Sequence, residues 1–306
     1  NVLVIDHYLS NRSKISWWQK IKQHYRTFKA TLPILKREQY DFYLDVRTSY
    51  GVSHFVLPFS HVKKAVGFNR RGMGGFLDVE LEIPQKDGNY HHFDTYAALL
   101  KEIGIEAKLE EVIPYFPIDP DLSWGGVQAK LPLPMAKPYV LLFPESGEAH
   151  KQMSVSFWVN VAVDLLQRSD CALLLCGQTD LSSKIMAGVH RATDSQFMPR
   201  VIDASGKLSV QELAFMATQA TAALTLDSFP VHLCCIFCKT ITIYKATGFP
   251  FFPISNYPVL LFHSHPASQG MKYVRRNVEI LYRPKIETPE VSRMIVERIT
   301  KEANIS

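Results

Sequence analysis

The sequence predicts an α/β protein of two domains, each a parallel sheet covered by helices. Three observations predict it. Short apolar, β-branched runs alternate with amphipathic stretches along most of the chain. A proline-rich tract, with Pro114, Pro117, Pro120, Pro132 and Pro134, divides that alternation into two parts. The length of 306 residues is enough for two ordinary domains with separate cores.

The first part opens on Asn1-Val2-Leu3-Val4-Ile5-Asp6, which reads as a strand with no initiator Met and no basic leader ahead of it. A helix is expected from about Ile15 to Gln39, with Pro33 kinking or interrupting it and Trp17 and Trp18 packed within it. Strands are expected at Tyr40–Val46 and Lys64–Phe68. Residues 69–90, with Gly72, Gly74 and Gly75, read as a long loop. His91 to Ile103 has helical spacing, with Tyr96, Leu99, Leu100 and Ile103 on one face. Residues 113–137 read as an interdomain linker.

The second part is a cleaner alternation. Strands are expected at Tyr139–Phe143, Ala172–Cys176, Val201–Asp203, Ala222–Leu226 and Thr240–Tyr244. Helices fall between them at about Val155–Gln167, Leu181–Ala192, Val210–Gln219 and Val231–Phe237, and a last helix runs from Glu290 to Glu302. Buried apolar strands separated by helices imply a parallel sheet covered on both faces. Ligands of such sheets bind at the carboxyl ends of the strands, which in a two-domain protein face the cleft.

Composition narrows the function classes. A net charge of +5 falls short of a nucleic-acid binder but favours anionic substrates or an anionic membrane surface. No segment reaches the roughly 18 uninterrupted apolar residues of a membrane span. The five cysteines show no paired spacing, which fits a reduced compartment such as the cytoplasm. Cys234, Cys235 and Cys238 lie at helical spacing in an apolar run and read as core rather than metal ligands. His263 and His265 lack a nearby carboxylate or third histidine and read as surface loop.

Four strand-to-helix turns are candidates for chemistry. In the first, Ser146 and Gly147 allow close backbone approach to an oxygen-rich ligand, and Lys151 offers a point charge to phosphate; an ordinary polar loop is the alternative. In the second, Asp227-Ser228-Phe229-Pro230-Val231-His232 leaves a strand and opens a helix with Pro230 in its first turn. The free N–H groups there form an anion site, unless Asp227-Ser228 is a plain cap and His232 a core histidine. In the third, Ser209 and Glu212 form a capping box, with ligand contact by Lys207 or Leu208 as a secondary role. In the fourth, Gln178 to Asp180 are candidate ribose or base contacts, with Asp180 as a helix N-cap the alternative. Arg70 and Arg71, beside glycines, are either a solvated pair or contacts for an acidic acceptor.

Taken in order, these turns resemble the heptosyltransferase-like glycosyltransferases of glycosyltransferase family 9. That family's donor domain has a strand and Pro-Gly-type turn, then Lys-Arg-Trp-Pro, a glycine-ended strand, Gly-Lys-Thr/Leu-Ser-x-x-Glu-Leu, and Asp-Ser/Thr-Gly-Pro-x-His. This chain has Phe143-Pro144-Glu145-Ser146-Gly147, Lys151-Gln152-Met153-Ser154, Leu174-Leu175-Cys176-Gly177, Gly206-Lys207-Leu208-Ser209-Val210-Gln211-Glu212-Leu213 and Asp227-Ser228-Phe229-Pro230-Val231-His232. Tyr40-Asp41-Phe42-Tyr43-Leu44-Asp45, Ala65-Val66-Gly67-Phe68 and His91-His92 with Tyr96 resemble its first domain.

The resemblance implies a GT-B fold: two Rossmann-like domains facing a cleft. It implies an acceptor-side domain at residues 1–132 including the linker, a donor-binding domain at 133–287, and a C-terminal helix at 288–306. It implies inverting transfer of a sugar, a heptose in characterised members, from a nucleotide-diphosphate donor to a saccharide or glycolipid acceptor. No cofactor and no essential metal are expected, an ADP-sugar is the favoured donor, and peripheral contact with the inner membrane face is expected. Ser146, Gly147, Lys151, Gln178, Lys207, Leu208, Asp227, Ser228, Phe229 and His232 would bind the donor, and Arg70 and Arg71 the acceptor. The family's Gly-Asp turn, source of its catalytic base, would fall ahead of Asn1, so the first domain is expected to be incomplete and no catalytic residue is assigned. Two departures stand out: Phe229 replaces a glycine, and Lys-Gln-Met-Ser replaces Lys-Arg-Trp-Pro. They motivate the alternative of an inactive relative that binds nucleotide-sugars or glycans. A nucleotide-sugar epimerase on the same fold is a third reading.

Overall fold

The computed structural model describes residues 5, 15–46, 51–69, 73–82, 91–132, 138–245, 252–265 and 277–303. The strand expected at Asn1–Asp6 and the pair Arg70 and Arg71 lie outside them, apart from Ile5. The chain divides into two compact units, Asn1–Leu109 and Glu110–Ser306.

In the first unit, helix α1 (Trp17–Arg37) starts at a capping box in which Gln19 N–H donates to Ser16 Oγ and Ser16 N–H to Gln19 Oε1. Pro33 does not interrupt it: the helix continues to Arg37, one backbone donor short at the proline. Trp17 and Trp18 do not pack in a core as expected. They are 55% and 74% exposed and meet each other edge to face at 4.9 Å. Strands β1 (Gln39–Leu44), β2 (His61–Phe68) and β3 (Val79–Leu81) form a parallel sheet in that order. β3 lies in the stretch expected to be loop; three residues are too few to show alternation. Helix α2 (His92–Lys101) packs Leu99 against Val66 and Phe68, with His91 as its N-cap.

The second unit begins earlier than expected. Residues 110–132 belong to it, because the apolar residues among the prolines are anchors. Val127, on the short helix α3 (Trp124–Gln128), and Leu131 are buried beside Tyr139, Leu141 and Phe143. Seven strands form one parallel sheet: β4 (Tyr139–Leu142), β5 (Ala172–Leu175), β6 (Val201–Asp203), β7 (Ala222–Leu226), β8 (Thr240–Tyr244), β9 (Val259–His263) and β10 (Val278–Tyr282). Their spatial order is β10-β9-β8-β7-β4-β5-β6.

The sequence reading missed β9 and β10. His263 consequently ends a buried strand rather than lying in a surface loop, while His265 is exposed. Helices α4 (Val155–Arg168), α5 (Leu181–Ala192) and α8 (Pro289–Ala303) contribute to one apolar layer, in which Trp158, Ile185, Val291, Ile295 and Ile299 are buried. Helices α6 (Val210–Ala217) and α7 (Phe229–Phe237) contribute Met216 and Cys234 to the other, with Cys238 at the C-cap of α7. Cys234, Cys235 and Cys238 are buried core residues, as their spacing predicts.

Candidate functional site

The order of the sheet places the site. From β4 the chain winds outward through β5 to β6, then returns to the other side of β4 and winds out through β7, β8, β9 and β10. The direction of winding therefore reverses between β4 and β7, which are hydrogen-bonded neighbours. At such a switch point the loops leaving adjacent strands diverge to opposite faces and leave a crevice at the carboxyl edge. The loops after β4, β5, β6 and β7 meet there and line a cavity of about 490 Å³. That size suits a small organic ligand.

The cavity has an apolar wall and a polar rim. Phe143, Leu208, Val210 and Leu213 line the first; Glu145, Ser146, Gln178, Thr179 and Ser228 line the second. Six of the expected donor-site residues are brought together here: Ser146, Gly147, Gln178, Leu208, Ser228 and Phe229. Phe229, the first residue of α7, is 53% exposed and forms part of the wall without filling the cavity. Its backbone is helical, so this position needs no glycine conformation.

Lys151 and Asp227 form the adjoining charged corner. Lys151 Nζ lies 2.9 Å from Asp227 Oδ2 and 3.2 Å from Glu148 Oε2. Desolvation opposes the lysine's charge, but Asp227 and then Glu148 outweigh it and raise its pKa. Lys151 therefore stays protonated at neutral pH. His232 sits in the first turn of α7 with an open side to solvent. The protein around it nevertheless desolvates the ring and lowers its pKa, against the opposing charge of Asp227. Lys207 is not at the cavity: its ammonium donates to the Asp203 carbonyl at 2.7 Å.

Two capping assignments change. Ser228 occupies the N-cap of α7, but its side chain makes no capping bond; Oγ donates to the Leu226 carbonyl at 3.4 Å. A plain side-chain cap is therefore not its role, although its carbonyl accepts from Val231 N–H at 3.2 Å, and Pro230 has no N–H to offer. Asp180 occupies the N-cap of α5, as the alternative reading had it, but its side chain makes no capping bond and pairs with Lys184 at 2.9 Å. Thr179 Oγ accepts from Leu181 N–H in its place. The Ser209–Glu212 capping box is formed as read, and Lys130 holds Glu212 at 2.6 Å.

Three residues of the site escaped the sequence reading. Glu145 accepts hydrogen bonds from Gln178 N–H at 2.8 Å, Thr179 N–H at 3.0 Å and Thr179 Oγ–H at 2.6 Å. Its signal was a carboxylate in the turn that leaves β4. Gln152, where the family has arginine, fastens the first turn by donating to the Ser146 carbonyl at 2.9 Å. Lys245 braces it in turn, donating to the Gln152 carbonyl at 3.0 Å and pairing with Glu287 at 2.7 Å. No local pattern marked Lys245. Among the described residues, no group of three or more His, Cys, Asp or Glu is arranged to hold a metal ion. No described helix is long and apolar enough to cross a membrane.

A doubly wound parallel sheet with a polar-rimmed cavity at its switch point defines a Rossmann-like α/β protein. The model of glycosyltransferase family 9 (heptosyltransferase) matches residues 30–260, and the chain belongs to that family of glycosyltransferases. No curated protein sequence matches the chain. Solved structures similar to it include the ADP-heptose lipopolysaccharide heptosyltransferase II of E. coli, at 14% identity, TM-score 0.63, over 94% of this chain and 82% of that one. A family 9 glycosyltransferase from Veillonella parvula matches at 14% identity, TM-score 0.66, over 91% and 78%. The E. coli heptosyltransferase WaaC with ADP matches at 14% identity, TM-score 0.60, over 93% and 81%. At that identity the likeness shows the α/β fold with parallel sheets.

Proposed function

We propose that the protein transfers a sugar, with inversion, from a nucleotide-diphosphate donor bound at the switch-point cavity to a saccharide acceptor. The observation that carries this reading is the pairing of a cavity of nucleotide size with a charged corner at one end. Lys151, paired with Asp227 and Glu148, and the positive end of the α7 dipole stand there. In such a transfer the acceptor oxygen bonds to the anomeric carbon as the bond from that carbon to the diphosphate oxygen breaks. The electron pair leaves with the diphosphate. Fixed positive groups aimed at that oxygen stabilise the developing charge without reorganising. The chain's own lysine and helix end supply this charge, which supports a reaction without an essential metal or cofactor. No residue is assigned as the catalytic base.

An ADP-sugar is the favoured donor, because two of the similar structures are described with ADP or ADP-heptose in their names. Contact with an anionic membrane face from the cytoplasm, where a glycolipid acceptor would lie, is supported by α1. That helix has Lys20, Lys22, Arg26, Lys29, Lys36 and Arg37, no acidic residue, and exposed Trp17, Trp18 and Tyr25.

Calorimetric titration with ADP-, UDP- and GDP-sugars tests the donor assignment. Selective binding of one of them, weakened about tenfold or more by Lys151→Ala, is expected. Absence of binding to all three overturns it. Co-sedimentation with vesicles tests the membrane contact. Binding to vesicles containing anionic lipid, and not to neutral ones, is expected; equal or no binding to both counts against it.

A further inference from the structure

Glu145 makes an unusual use of its carboxylate. It follows Pro144 in the turn after β4, and its side chain crosses to the loop after β5. Gly177 makes room for it: a Cβ there would stand 2.5 Å from Glu145 Oε1 and 2.6 Å from Cδ. The loop then grips the carboxylate with two backbone N–H groups and the Thr179 hydroxyl. Thr179 itself is held, since its Oγ also accepts from Leu181 N–H at 3.2 Å. The carboxylate is thus fixed at the cavity rim before any ligand arrives.

Its acceptor capacity is unevenly spent. A carboxylate offers about four lone-pair sites, two on each oxygen. Both Thr179 bonds fall on Oε1, whereas Oε2 takes only Gln178 N–H. Room for one further donor therefore remains, on Oε2. The negative charge excludes a phosphate from the same spot. Positive charge stands further along the same loop, at Lys151, and at the start of α7. The site has a polarity: a cationic side chain and helix end where Lys151 meets the loop after β7, and a hydrogen-bond-accepting rim at Glu145 over Gly177.

We propose that Glu145 is a specificity-determining residue that accepts a hydrogen bond from a ribose hydroxyl of the donor nucleotide, so that the cavity selects ribonucleotides. A ribose is the neutral, hydroxyl-bearing part that lies between a nucleotide's base and its diphosphate. The apolar wall of Leu208, Val210 and Leu213 would take the base. This inference rests on the nucleotide-sugar reading above, which its test separates from it.

The test is calorimetric titration of the unmodified protein with ADP, UDP and GDP, then with the 2′-deoxy and 3′-deoxy forms of whichever binds, repeated on Glu145→Ala. At least one deoxy form is expected to bind the unmodified protein about tenfold or more weakly. In Glu145→Ala the parent diphosphate is expected to weaken by a similar factor, and the difference between ribo and deoxy forms to vanish. The comparison of ligands on the unmodified protein stands even if the variant does not fold. Equal binding of all three forms makes Glu145 a loop fastener only and overturns the inference while leaving the nucleotide reading intact. Discrimination that survives in Glu145→Ala assigns the hydroxyl to another group and overturns it too. No binding of any diphosphate overturns both.

Discussion

Lys151 Nζ lies 2.9 Å from Asp227 Oδ2, joining the turn after β4 to the turn after β7 across the switch point. Asp227 is almost buried, so its carboxylate depends on that partner. Lys151→Ala should therefore destabilise the fold by roughly 2 kcal/mol, since a nearly buried carboxylate is left without its ion pair. Donor affinity should fall about tenfold or more. Adding Asp227→Asn to Lys151→Ala should recover part of the stability, by removing the stranded charge, but none of the affinity. Urea unfolding and calorimetry on the two proteins measure both quantities; affinity that returns with stability would show that the lysine acts only through the fold.

Gly177→Ala tests the seat of Glu145 from the opposite side. The new Cβ would fall 2.5 Å from Oε1, the movable end of a side chain. The carboxylate can swing aside, so the melting temperature should change little. Selection for the ribose hydroxyl should be lost as in Glu145→Ala. Retained selection in a stable Gly177→Ala protein would count against the seating of the carboxylate over Gly177.

Gly188→Ala should act on stability alone. A Cβ at Gly188, on α5, would stand 2.4 Å from Val159 Cγ2 on α4. Valine is stiff at χ1, and two packed helices have little freedom to separate. The expected cost is about 1–3 kcal/mol, read as a lower urea midpoint. Activity per folded molecule should be unchanged.

His263 should make the fold acid-sensitive. Burial, and then the charge of His265, push its pKa down to about 4. The unfolded chain, with an ordinary histidine pKa near 6.5, binds the extra proton first. Stability from this group is therefore complete above about pH 6.5 and is lost as pH falls towards 4, by on the order of 3 kcal/mol over the window. The urea midpoint of the unmodified protein should fall relative to that of His263→Leu as pH is lowered from about 7 to about 4.5. Parallel curves would show that His263 does not titrate in this range.

Most of the βα alternation of the second unit was legible because its signals are local. Strands such as Ala222–Leu226 are unbroken apolar runs, and Ser209 with Glu212 announces the start of α6 within four residues. The α/β class, the core role of the α7 cysteines and the four turns at strand ends follow from such patterns. The family likeness followed from the order of those turns.

The tertiary structure decided what depends on distant partners. Val259–His263 and Val278–Tyr282 extend the sheet because β8 offers an open edge to pair with, and β9 then offers the next; Val259–Phe262 is an apolar run like Ala222–Leu226 that the sequence reading passed over. Val127 and Leu131 place the proline-rich tract in the second unit through contacts with β4, which proline content alone does not reveal. Lys207 and Glu145 exchange importance for the same reason. A charge is free in a sequence, but in the fold Lys207 meets the Asp203 carbonyl and Glu145 meets the backbone of another loop. Residue type and spacing fix local conformation. Which side chain reaches the cavity depends on strand order, and strand order is settled only when the whole sheet is buried between its helices.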